Sequence, residues 1–419
     1  MTPPASAASA AVGRGFDVQK IRRDFPILAE RIHGKPLVYL DSANTSQKPL
    51  AVIEAMDAYY RHANANIHRA THLLSERATA LYEGARAKAA AFLHAPDVKN
   101  IVFTRGTTDG INLVAQSYGR SVLRAGDEIV ISWLEHHSNI VPWQLLCEQI
   151  GAVLRVVPID DRGDIDLEQY GAALSPKTRL VAISHVSNAL GTVNPVRTII
   201  QQAHACGAVV LVDGAQAIPH LPVDVQALDC DFYVFSSHKM FGPTGVGVLY
   251  GRGSLLDMMP PYQGGGDMIA SVTFEKTLYN VVPYKFEAGT PNIGGVAGFG
   301  AALDYLMAID REAALAHEDA VLAYATERVR DIRGARIIGE ARHKTGVLSF
   351  LLDGVHPHDA GTILDNEGVA VRTGQHCAQP IMDRYGITAT IRASLGIYNT
   401  REEIDVLIRA LERVREVFA

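Results

Sequence analysis

The sequence predicts an α/β protein built on a mostly parallel sheet, with a smaller α+β unit at its C-terminal end, and three observations carry that reading. Helical stretches alternate with short apolar runs over most of the chain. Several of those runs are apolar throughout rather than at every second residue, the mark of strands buried on both faces by helices. Near residue 300 the rhythm changes, which sets off the second unit.

Taken in order, MTPPASAASAAVGRG has neither the charged start nor the apolar centre of a secretory leader. Residues 1–17 are expected as a flexible tail. DVQKIRRDFPILAERI has the spacing of an amphipathic helix, so residues 18–34 are expected as an N-terminal helix packing with the smaller unit, and LVYLD reads as a strand. ATALYEGARAKAAAFLHA is helical, NIVFTRG is a strand entering a loop, and DGINLVAQSYGRSVL is helical again. EIVISWLE, LRVVPID, TRLVAISHV, AVVLVDGA, CDFYVFSS and GVGVLYG follow as strands and bring the sheet to seven. GVAGFGAALDYLMAIDREAALAHEDAVLAYATERVRDI then reads as one long helical segment. GVLSFLLD and VAVRTG are short strands, and TREEIDVLIRALERVREVF is a closing helix. A large domain over residues 35–300 and a small one over 301–419 result.

The 419 residues, 48% of them hydrophobic, allow two or three domains at roughly 100–200 residues each. A net charge of -6, with no basic patch, argues against nucleic acid as a partner. No apolar run approaches the roughly 18–20 residues that span a bilayer, so no membrane role is expected and the protein is read as cytoplasmic. Cys147, Cys206, Cys230 and Cys377 have no metal-binding spacing, and reduced thiols with no metal site are expected.

Chemistry concentrates in six stretches. In SSHKMFGPTG a lysine, Lys239, follows an apolar strand. A lone lysine is normally a solvated charge, but one in desolvated surroundings loses its proton and attacks a carbonyl carbon. Ser236 and His238 beside it suit a phosphate. In VVLVDGAQA, Asp213 ends another strand, where open α/β sheets bind ligands. It either caps a helix or pairs with a protonated pyridine nitrogen. FTRGTTDGIN is a strand, a turn and a helix start, which alone is a plausible cap sequence and whose amides, with Thr107 and Thr108, suit an anion cradle. SWLEHHSNIVPW offers a histidine able to stack on a flat ring, although a polar loop histidine with no function is the commoner case. In RTGQHCAQP, Cys377 lies in a polar loop suited to a nucleophilic thiolate, whereas the other cysteines have helical or strand contexts. Arg392 in ATIRASLGIYN has the fork that grips a carboxylate.

In this order the pieces resemble the class V aminotransferase-like branch of fold-type I pyridoxal-phosphate (PLP) enzymes, and more closely the SufS-type (group II) cysteine desulfurases. The resemblance runs from about residue 18 to the C-terminus. It rests on YLDSANTSQKP, NIHRATHLLSERAT, TRGTTDGIN, EHHSNIVPW, SHVSNALGTVNP, VDGAQA, SSHKMFGPTGVGVLYG, FEAGTPN, RTGQHCAQP and IRASLGIYN. It implies that the large domain binds PLP and the small one carries the cysteine loop. Lys239 then matches the lysine holding the cofactor, Asp213 the ring-nitrogen partner, Gln216 the contact to the ring hydroxyl, and His136 the stacking residue that helps move protons. Thr108, Ser236 and His238 match phosphate contacts with Thr107 beside them, and Thr290 matches a phosphate contact given by the other subunit of a homodimer. Asn188 and Arg392 match substrate-carboxylate contacts, and Arg372, His68 and Arg69 border the substrate pocket.

The implied reaction converts L-cysteine to L-alanine, with a persulfide on Cys377 passed to a SufE- or SufU-like acceptor for iron–sulfur cluster assembly. GGGDMIASVTFEKTLYNVVPYKFEAGTPN resembles the hairpin that covers the neighbouring subunit's site. One departure is Gln375, where many members carry a second histidine. A glutamine does not titrate, so proton transfer is not assigned there. The scaffold also suits a selenocysteine lyase, a class V aminotransferase or lyase with no cysteine nucleophile, or a non-catalytic scaffold subunit. Three intact reactive residues speak against the last.

Overall fold

The protein is described by a computed structural model covering residues 16–418, so the expected tail falls outside the described residues as far as residue 15. Phe16 already packs on the ring of His317 at 5.0 Å. The expected helix over 18–34 is shorter than its spacing suggests. It runs over Val18–Arg23, a single 3-10 turn covers Pro26–Ala29, and Arg31–Ile32 pairs with Lys35–Pro36 as a small hairpin. Pro26 is the reason, because its ring pushes the preceding residue out of helical backbone, and Phe25 is extended at φ -109°, ψ 91°.

Seven strands form the main sheet: β1 (Ile101–Thr104), β2 (Glu128–Ser132), β3 (Val153–Val157), β4 (Thr178–Ser184), β5 (Val209–Asp213), β6 (Phe232–Ser236) and β7 (Gly247–Gly251). Their order is β1-β7-β6-β5-β4-β2-β3. Strands β3, β2, β4, β5 and β6 are mutually parallel, while β7 is antiparallel to both neighbours. The exception has a simple cause. A parallel return needs a crossover of about a dozen residues or more, and only 237–246 separate β6 from β7.

Alternation within the apolar runs fills two cores. Val210, Val212, Val181, Ile183, Tyr233 and Phe235 pack on one face with the helices α1 (Leu50–His62), α2 (Leu73–Phe92) and α6 (Ile293–Ala308). Leu211, Leu180, Ala182, Phe232 and Val234 pack on the other, against α3 (Thr107–Val114) and α4 (Val141–Ile150). The helix α5 (Val196–Ala205) lies on the first face. A fully buried aliphatic side chain contributes about 1.5–3 kcal/mol, so both faces of the sheet must be covered, as the continuous apolar runs require.

The segment read as one long helix is two. Helix α6 ends at Ala308, and α7 (Arg311–Arg330) leaves at 86°, started by Asp310, whose carboxylate accepts from the Ala313 amide at 3.0 Å. A second, antiparallel sheet follows: β8 (Ala335–Ile338), β9 (Val347–Leu352), β10 (Arg372–Gly374) and β11 (Thr390–Ser394), ordered β8-β9-β11-β10. Helices α7, α8 (Pro357–Asn366) and α9 (Arg401–Val417) cover it, and its core takes in Val38 and Leu40 from far upstream. Among the described residues no single helix is long and apolar enough to cross a membrane.

Candidate active site

The carboxyl ends of β4, β5 and β6 open onto one cavity, and the second sheet closes it from the far side. Asp213 is the last residue of β5 and Lys239 ends the single turn after β6. That turn is pinned from outside. The carbonyl of His238 accepts from the Ser46 amide (3.0 Å), the hydroxyls of Thr45 and Ser46 (both 3.1 Å) and the Lys48 ammonium (2.9 Å). The Ser46 hydroxyl also accepts from the Phe241 amide at 2.7 Å.

Burial is the largest influence on Lys239, lowering its pKa to about 8; Arg392 and Arg372 act the same way, and Asp213 opposes them. An amine held that low is deprotonated often enough near neutrality to act as a nucleophile. Asp213 is shifted the other way, its carboxyl raised by burial, with the Ala215 amide at 2.9 Å and Lys239 pulling it back. Burial thus favours the neutral form of both, and a cationic ring nitrogen placed against Asp213 would restore its charge.

His136 lies in the cavity wall with its pKa lowered to about 3, chiefly by burial and then by the charge of Lys239. Its Nδ1 accepts from the Ser138 amide at 3.0 Å, so the neutral ring carries its proton on Nε2. The Gln216 amide donates to the Ala43 carbonyl at 2.7 Å and leaves its own carbonyl oxygen buried without a partner at the cavity. Such an acceptor suits a ring hydroxyl, since a buried unpaired acceptor is costly.

At one end of the cavity the Ser236 hydroxyl accepts from the Thr107 amide at 2.8 Å and meets its hydroxyl at 2.7 Å. Thr108 and His238 line the same end. Gly247 makes room for this turn, because a Cβ there would fall 2.5 Å from the Cα of Gly106. The amides and hydroxyls gathered at the start of α3 suit an anion such as a phosphate. Opposite, Arg392 donates to the Asn188 carbonyl at 2.9 Å and to Asp41 at 3.2 Å, while its buried Nε has no partner. Asn188 donates in turn to the His376 carbonyl at 2.6 Å, beside exposed Cys377, and Arg372 completes this side.

Three expected site residues stand apart. His68 bonds Glu83 at 2.9 Å and Arg69 pairs with Asp267 at 2.7 Å, so both are drawn into a separate pocket and do not border the cavity of their own chain. Thr290 lies in another pocket, with Arg105 and Gln263. Glu135, next to His136, carries no assignment from the sequence. It is fully buried, bonded by Ser132 (2.5 Å) and Asn139 (2.7 Å), and burial raises it to about 7. An acid beside an expected site histidine, at a strand end, was the available signal. Among the described residues no group of three or more His, Cys, Asp or Glu is placed to hold a metal ion.

Known proteins resemble this chain over most of its length. Residues 38–407 match the family model described as Aminotransferase class-V. A cysteine desulfurase of Synechococcus elongatus is 54% identical over 413 residues, which is 99% of this chain and 66% of that protein's length. A cysteine desulfurase of Dickeya dadantii is 52% identical over 96% of this chain and 98% of its own. The crystal structure of the cysteine desulfurase CsdA (S-sulfonic acid) of Escherichia coli superposes with a TM-score of 0.90 at 42% identity, covering 96% of this chain and all of that one.

Proposed function

The chain belongs to the class-V aminotransferase family, and from that premise we propose that it is a PLP-dependent cysteine desulfurase that turns L-cysteine into L-alanine and takes the sulfur onto Cys377. One observation carries the reading: a low-pKa lysine, a strand-end aspartate and an exposed cysteine share one cavity. PLP, once bound, supplies an electron sink for the bond changes at the substrate's α-carbon. In this reading Lys239 holds it, Asp213 faces its ring nitrogen, Gln216 its ring hydroxyl and His136 its face, and Thr107, Thr108, Ser236 and His238 hold its phosphate.

The remaining chemistry belongs to side chains of this chain. Arg392 and Asn188, with Arg372 at the rim, take the substrate carboxylate and so fix which face of the substrate meets Lys239. The released Lys239 amine, deprotonated readily because its pKa is near 8, moves the α-proton. Neutral His136 offers a second site for proton transfer at Nε2. The Cys377 thiolate attacks the substrate sulfur; the S–S bond forms as the C–S bond breaks, and the carbon that loses sulfur takes a proton and leaves in alanine.

The proposal extends to a cytoplasmic homodimer that gives its sulfur to a SufE- or SufU-like acceptor for iron–sulfur cluster assembly. Thr290, His68 and Arg69, which do not reach the cavity of their own chain, would then serve the cavity of a second copy. The test is cysteine-dependent alanine and sulfide formation by wild type and Cys377→Ala, with reductant present. Both should load the cofactor and show its yellow chromophore, and only wild type should yield sulfide and alanine. An equally active Cys377→Ala protein would move the function to class V reactions that need no cysteine nucleophile.

A further inference from the structure

The loop that carries Cys377 is held in an unusual backbone. His376 and Cys377 both lie in the left-handed region, at φ +56° and +54°, where a side chain's Cβ crowds the backbone. Two adjacent non-glycine residues stay there only if their surroundings hold them. Part of the hold comes from the second sheet and the Asn188 turn: His376 Nε2 meets the Thr390 hydroxyl at 2.8 Å, and Asn188 donates to the His376 carbonyl. Beside the loop's own bond from the Ala378 amide to the Gln375 carbonyl at 2.9 Å, a further hold comes from one residue, through its side chain and its backbone. The amide of His137 donates to the Cys377 carbonyl at 2.8 Å, and its ring Nε2 accepts from the Gln379 amide at 3.1 Å.

These two bonds bracket Ala378, directly after the thiol-bearing residue. The second also satisfies an N–H at the start of the helix Gln379–Arg384, where the first amides have no partner within the helix. His136 and Ser138 line the cavity, but His137 between them does not; it is half-buried against the cysteine loop. Its ring nitrogen is therefore placed to hold backbone and not to touch a substrate. Because an amide donates to Nε2, the neutral ring keeps its proton on Nδ1.

We propose that His137 is the positioning residue of the cysteine loop, clamping Cys377 over the cavity and tying it to the segment that carries His136. The nucleophile and the stacking residue are then set by two adjacent residues, His137 and His136, so the thiol keeps its place relative to a ring lying against His136. The proposal rests on reading Cys377 as the nucleophile, and its test separates the two ideas.

The variants are His137→Ala and His137→Leu, which both remove the acceptor (leucine keeping bulk), and His137→Gln, whose amide oxygen can stand near Nε2. In cofactor-loaded, substrate-free protein, hydrogen–deuterium exchange at the Gln379 amide should quicken three- to tenfold in the alanine and leucine variants. In the glutamine variant it should stay within twofold of wild type. With L-cysteine, single-turnover alanine formation at saturation should fall about tenfold in the first two and recover in the third. The dissociation constant for cysteine, read from the chromophore, should stay within twofold in all three. Unchanged exchange in both acceptor-free variants would overturn the clamp. A glutamine variant as slow as alanine, with exchange restored, would also overturn it by giving the ring a chemical role. A wild-type protein that forms no alanine would sink the desulfurase reading while the exchange result still decides the clamp.

Discussion

Gly247→Ala tests whether the turn before α3 holds the cofactor phosphate. The new Cβ would lie 2.5, 2.7 and 2.8 Å from the Cα, N and C of Gly106. Carbon atoms rest at about 3.5–4.0 Å, so the turn must retreat by about 1 Å. No side-chain rotation relieves the clash, because every atom met is backbone. A retreat of that size breaks the bonds from the Thr107 amide and hydroxyl to Ser236, at 2.8 and 2.7 Å. A hydrogen bond to a charged group contributes roughly 1.5–3 kcal/mol, so one lost phosphate contact should weaken the cofactor ten- to a hundredfold. The assay is titration of the apo protein with PLP, followed by absorbance, with circular dichroism to check the fold. Gly84→Ala in α2, whose Cβ meets nothing within 4 Å, is the matched control and should bind as wild type does. Wild-type affinity in a folded Gly247→Ala protein would refute the argument and place the phosphate elsewhere.

Glu135 makes stability depend on pH in a known direction. Its folded pKa is raised from 4.5 to about 7, so the stability it contributes is fully present below about pH 4.5 and lost as pH rises through 7. The loss is about 3 kcal/mol. Urea midpoints for wild type and Glu135→Gln should diverge in the variant's favour between pH 5 and 7.5; parallel curves would contradict the assignment. Arg86 forms a bidentate pair with Glu287 at 2.7 and 2.9 Å, its side chain 2% exposed, and stacks on Phe103 at 4.6 Å. Arg86→Ala strands a buried carboxylate and should lower stability by about 3–5 kcal/mol in urea unfolding, with Glu287→Gln recovering part of it.

Much of the fold could be read from the sequence because its strands are uniform. A run such as VVLVD has one physical solution, a strand covered on both faces, and its terminal Asp213 falls where a ligand can reach it. The direction of β7 was not legible, since it depends on the number of residues between two strands and not on their composition. The break at Asp310 was hidden because GVAGFGAALDYLMAIDREAALAHED keeps its helical character on both sides. Within the candidate site, Lys239, Asp213 and Cys377 stood out only together, since each has a commoner use alone, and two strand ends and a polar loop supplied them in one chain. His137, Asp41 and the Arg86–Glu287 pair did not. Their roles come from partners 242, 351 and 201 residues away, and no local pattern reports such a partner.

The charges of the cavity explain why its parts come from both sheets. Arg372 and Arg392 sit directly opposite each other on β10 and β11. Like charges so placed repel, and burial adds to the cost for Arg392, lowering its pKa to about 10. Asp41 answers one guanidinium at 3.2 Å, and Asp213 faces Lys239 from the main sheet. With all three bases and both carboxylates charged and Cys377 still a thiol, Lys239, Arg372 and Arg392 outnumber Asp41 and Asp213 by one charge. The cavity is therefore short of an anion at its second-sheet side, where Arg392 Nε points without a partner. A substrate carboxylate there relieves the repulsion between the arginines and, by lessening the positive field on Lys239, makes that amine easier to protonate. In the proposed reaction, the site assigned to the acid end of the substrate would thus adjust the base assigned to its α-proton, a coupling available because the arginines and the lysine stand on different sheets facing one space.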